Sequence, residues 1–138
     1  MFKKLVKTKL IRYQIEFVES EKSLKINLGL SQDIIVIFSE DNKICISDRL
    51  NSWNALTGIW KMSLKNAMIF VSFSNLALWI LSLIALSFLK LQLIYFELST
   101  MILIASIGYS VFWFSYYHLR YENFKATLIN WLDEITLK

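Results

Sequence analysis

Proline is absent from this 138-residue chain, glycine occurs three times and cysteine once. Each shortage excludes something. Without proline, long helices carry no built-in break. Gly29, Gly58 and Gly108 lie too far apart for a glycine-rich phosphate loop. A lone Cys45 rules out an intrachain disulfide, and no Cys-x-x-Cys or Cys/His grouping has zinc spacing. Cys45 lies between Ile44 and Ile46, so a buried structural thiol is expected. The one histidine, His118, sits among aromatics beside Arg120, with no carboxylate or nucleophile spaced to orient or use it. Asp33, Asp41 and Asp48 fall at turns or strand ends, where aspartate serves the backbone. No catalytic set, metal site or cofactor is expected, and an enzyme is not the reading.

Charge is also scarce. Charged residues make up 19% of the chain, against about a quarter in ordinary soluble domains. The deficit is local: residues 66–89 and 98–117 contain no charge at all. A helix rises about 1.5 Å per residue and the hydrocarbon layer is about 30 Å thick, so each run is long enough to span. One helix over 67–117 would be far too long, and the polar place to turn is 90–92. The predicted organisation is a membrane α+β protein. A β-rich cytoplasmic module with a basic tail occupies 1–50 and an interfacial elbow 51–66. Transmembrane helices follow at 67–89 and 98–117, joined by a short non-cytoplasmic connection at 90–97. A cytoplasmic amphipathic helix closes the chain at 118–138.

Strand signals fill the first fifty residues. Apolar residues alternate over 11–17 and again over 24–28, and a continuous apolar run at 34–38 suits a strand covered on both faces. A short fourth strand falls at 44–46. With polar turns between them, these predict a small antiparallel meander of about four strands. Toward the C-terminus, Phe124, Leu128, Trp131, Leu132 and Ile135 share one helical stripe, which either continues the second span or folds back over the sheet.

Lysine and arginine near the span ends predict orientation. Lys61 and Lys65 precede the first run, Arg120 and Lys125 follow the second, and the connection offers only Lys90. By the positive-inside rule both termini face the cytoplasm, of a bacterial cytoplasmic membrane or its organellar equivalent. Five bases and no acid lie in the first twelve residues, which reads as a tail near anionic headgroups or simply in solvent. No signal-peptide core follows it. Nucleic-acid binding is not expected, since no recognition motif accompanies the charge. Trp53, Trp60, Lys61, Lys65, Trp113, Tyr116, Tyr117, His118 and Arg120 are the expected interfacial anchors. In the elbow, Asp48 or Ser52 is placed to cap a short helix, and Gly58 is the candidate hinge, being free to take positive φ.

Within the runs, Ser72, Asn75 and Ser82 form one polar stripe, and Ser99, Ser106 and Ser110 another with Gly108 close by. Counted from the cytoplasmic ends, Asn75 and Ser110 come at nearly the same depth. These faces are expected to pack together, within the hairpin or between copies. The partners implied are the lipid bilayer and a membrane protein or a second copy. The leading expectation is a non-enzymatic accessory, assembly or scaffold subunit of a larger membrane complex. The alternatives are an oligomerising effector or toxin-immunity protein with a sensing module and, more weakly, a lipid- or ligand-binding module at the membrane surface.

Overall fold

A computed structural model of the chain describes residues 2–39, 43–88 and 93–136. The order is α1 (Phe2–Arg12), β1 (Phe17–Glu19), β2 (Ser23–Gly29), β3 (Gln32–Phe38), β4 (Ile44–Leu50), α2 (Leu64–Phe88) and α3 (Leu93–Thr136). The four strands form one antiparallel sheet in sequence order. The predicted meander is therefore present, followed by helices of which two are long and apolar enough to cross a membrane. The turn expected at 90–92 lies outside the described residues.

Directly opposed residues of an antiparallel pair share a face. Leu24, Val36 and Ile46 fall on one side, as do Ile26 and Ile34. Val6 and Leu10 of α1 and Leu128 and Trp131 of α3 close over that side to make the main core. Only one face is covered, contrary to the expectation for 34–38. Ile37 and Val18 stand exposed on the other face, with Cys45, which is not the buried thiol expected from its neighbours.

The N-terminus corrects two expectations. The basic segment is a helix rather than a tail, since Val6 and Leu10, one turn apart, dock on the sheet core. Three of its bases are engaged: Lys3 and Lys7 pair with Glu19, and Lys9 with Glu134. The alternation over 11–17 belongs to a helix end and a turn, with Gln14 at φ 55°, before a strand that starts only at Phe17. Tyr13 stacks on Trp131 with centroids 5.5 Å apart. Strand β4 is longer than predicted, because its last residues pair with the start of β3 and Leu50 also bridges to Met62.

Helix α3 has 44 residues, a length of about 66 Å. The C-terminal amphipathic segment is thus the same helix as the second apolar run, continuing it rather than folding back. One stripe serves both halves: Leu103, Ser110 and Phe114 border α2, while Tyr117, Tyr121, Phe124, Leu128 and Trp131 border the loop and the sheet. Residues 51–63 contain no helix, which corrects the expected elbow helix. Asp48 does cap a helix, but it is α2, accepting from the Leu64 N–H.

Candidate functional site

The expected site residues separate into a joint and an interhelical cleft. The joint is where α3 leaves its apolar run and meets the sheet. Tyr117, 1% exposed, donates its hydroxyl to Leu30 O at 3.0 Å and accepts from the Ala55 N–H at 3.1 Å. Its backbone carbonyl accepts from Gln32 Nε2 at 2.8 Å. Arg120 donates to Leu28 O and to the Tyr116 hydroxyl, and its guanidinium lies 5.5 Å from the Tyr116 ring centroid. These two side chains, expected at a lipid boundary, hold the β2–β3 turn instead. That turn needs holding: Leu30 and Ser31 have φ of 49° and 60°, values that hairpins usually give to Asn-Gly. Asn51 N–H adds a bond to Ser31 O at 2.7 Å.

Around Asn54 the loop is tied to itself. Asn54 Nδ2 donates to Asn51 O, Thr57 Oγ1, Gly58 O and Trp60 O, while Oδ1 accepts from the N–H groups of Leu56 and Thr57. Asn54 and Gly58 also exchange both backbone bonds at 3.0 Å. Gly58 takes φ 65°, the bend expected of it, and Trp53 takes φ 62°. The remaining boundary residues Trp53, Trp60, Lys61, Lys65 and His118 are exposed, with His118 stacked on Phe114. Trp113 and Tyr116 are half-buried against Tyr117.

Between α2 and α3 runs a cleft of about 540 Å³, lined by Ser72, Asn75, Trp79, Ser110 and apolar neighbours. Asn75 Nδ2 donates to Ser110 Oγ at 3.3 Å, so the pair assigned to one depth does meet. Ser82, Ser99, Ser106 and Ser110 return their hydroxyls to carbonyls of their own helices. Gly108 is exposed, and a Cβ there would meet nothing within 4 Å, so no close helix approach uses it within one chain. Among the described residues, Gln32 Oε1 and Trp79 Nε1 are buried without a partner, and no His/Cys/Asp/Glu group is arranged to hold a metal ion.

Sequence reasoning missed Gln32, Asn54 and Tyr109, whose hydroxyl donates to Ala55 O at 3.0 Å. Asn54 carried a signal, the Asn-x-x-Thr-Gly turn composition. Gln32, a polar residue opening an apolar strand, carried none. Comparison with family models, curated proteins and solved structures finds no match.

Proposed function

We propose that the chain is a two-pass integral membrane protein that serves as a non-enzymatic accessory, assembly or scaffold subunit of a larger membrane complex. The observation that carries the reading is the contrast between a sheet module with its own core and two long helices on which large apolar side chains such as Met68, Phe73, Leu78, Met101, Ile104 and Phe112 stay bare. Surfaces of that size on a protein mark a membrane or partner contact. Charge supports the orientation: Lys61, Lys65, Arg120 and Lys125 flank the apolar runs at the sheet end, and the positive-inside rule favours a cytoplasmic side for the sheet and both termini. The scaffold role is supported by the way α1, the sheet and the loop are all tied to α3, which leaves the outer sheet face open to a partner. Mild extraction from native membranes followed by size separation tests it. The subunit reading expects co-migration with a larger membrane protein, and free monomer alone would remove its basis.

A second reading, self-association of the hairpins in the manner of a membrane effector, is favoured by the cleft. The Ser72 hydroxyl and Asn75 Oδ1 have no hydrogen-bond partner among the described residues, and a neighbouring copy could supply one. Dye leakage on reconstitution, abolished by Asn75→Leu with Ser110→Leu, would favour it over the subunit reading.

A further inference from the structure

We infer that the loop over residues 53–60 is itself a membrane element: a hoop that dips below the headgroups beside the two helices and seats the sheet on the bilayer. The inference rests on the two-pass reading and adds a third lipid contact to it. Three independent observations lead there.

The first is depth. The loop does not stop where the charge-free runs begin. Trp60 packs on Phe70, 6.2 Å between centroids, and Ala55 O is held by Tyr109. Phe70 is four residues inside the first run and Tyr109 eight inside the second, or about 6 Å and about 12 Å along their helices. Interfacial elements bury an apolar face to about 5–10 Å.

The second is what the hoop shows. Trp53 is 82% exposed, and Ile59, Trp60 and the adjoining Leu30 are also exposed, although the backbone around them is tightly organised. Trp53 is held at a positive φ that a bulky residue seldom adopts, with its carbonyl bonded by Ser31 Oγ at 3.3 Å. A rigid loop that holds an indole outward at such a conformation is built for an apolar or half-apolar surrounding.

The third is the state of the backbone. Irregular chain enters a low-dielectric layer only if its polar groups are satisfied internally. From Asn54 to Trp60, six of seven N–H groups and five of seven carbonyls have partners in the protein, supplied by Asn54, Thr57, Tyr109, Tyr117 and the loop itself.

Charge identifies the lipid. Between Asp48 and Glu97 there is no acidic residue, and Lys61 and Lys65 at the end of the hoop are exposed with no ion pair among the described residues. The lysines of α1 behave differently, three of them being engaged by carboxylates. The free pair suits lipid phosphates of an anionic leaflet.

The test places a nitroxide label at single cysteines in the full chain carrying Cys45→Ser, reconstituted in vesicles of phosphatidylcholine with phosphatidylglycerol. Labels replace Trp53 and Ile59, with Val18 on the open sheet face and Leu78 in mid-helix as references; Ile59 is exposed, so its replacement spares the fold. Labels at 53 and 59 should resemble 78, with several-fold fewer collisions with a nickel chelate than 18 and more with oxygen. If 53 and 59 match 18 while 78 is shielded, the hoop is overturned and the hairpin stands. If 78 matches 18, the two-pass reading fails and the hoop with it. Lys61→Glu with Lys65→Glu should move label 59 outward in these vesicles and not in pure phosphatidylcholine; an equal shift in both overturns the phosphate assignment.

Discussion

At the sheet end of the molecule, Leu10, Leu24, Ile26, Ile34 and Leu128 are shut away from solvent by one another; along α2 and α3, Phe73, Leu78, Met101 and Ile104 touch little of their own chain. Both regions are rich in the same residue types. What differs is period and partner. Alternation at two residues per repeat lets a sheet offer one apolar face, and two helices suffice to cover it. Along their charge-free runs the two helices carry large apolar residues on most sides, so one neighbour covers only a stripe and the remainder is left to the surroundings. Side-chain composition alone does not separate a packed core from a bare apolar surface; geometry does.

Truncating the same kind of side chain in the two regions breaks the comparison most sharply. Ile26→Ala should cost about 2–5 kcal/mol by chemical denaturation of the full chain in micelles. Leu78→Ala, 64% exposed, should stay within about 0.5 kcal/mol. Equal costs would mean that the hairpin has an interior not seen in one chain. At the border between the regions, Tyr117→Phe removes the hydroxyl that joins Leu30 O and the Ala55 N–H. Because it strands partly buried groups, a loss of about 1–3 kcal/mol is expected, with faster backbone amide exchange at Ala55 than at Leu24. Inside the hairpin, Asn75→Leu removes the single bond to Ser110 and should weaken helix pairing by only about 0.6 kcal/mol, measured by unfolding in mixed micelles.

The smallest effect is one of pH. Hydrogen bonds from Lys7 and then Lys3 hold the Glu19 carboxyl below its ordinary value. A depressed folded pKa contributes stability above the unfolded value, about 4.3 for glutamate, and loses it as pH falls through the folded one. Docking of α1 should therefore loosen slightly below about pH 4, seen as loss of Tyr13–Trp131 stacking by near-ultraviolet circular dichroism. Glu19→Gln should flatten that dependence.

Much of the architecture could be read without coordinates, and the reasons for the failures are physical. Strand β2 announced itself by alternation, as a one-sided sheet requires, and β3 by a continuous apolar run, although only one of its faces is covered. The charge-free runs announced α2 and α3 because length and polarity alone decide whether a helix suits hydrocarbon. Helix α1 was illegible: it buries just Val6 and Leu10, and the apolar spacing of Ile11, Tyr13 and Ile15 runs across its end into a turn, imitating a strand. The joint was half legible. Tyr117 and Arg120 drew notice as boundary residues, yet nothing in sequence tells that their partners are the carbonyls of Leu30 and Leu28, 87 and 92 residues away. The positive φ of Trp53, beside the Asn54 ties, is something no propensity foretells.

The unbroken course of α3 has a consequence for how the chain can change in length. Ser110, which meets α2, and Leu128, which meets the sheet, are eighteen residues apart, five whole turns at 3.6 residues each, so they point the same way. Adding or deleting one residue between them would turn the sheet's docking surface by about 100° from the hairpin's. Only lengths near whole turns, such as seven or eleven residues, return both contacts to one side. Insertions between the two regions are thus quantised, like teeth on a shaft that must mesh at both ends.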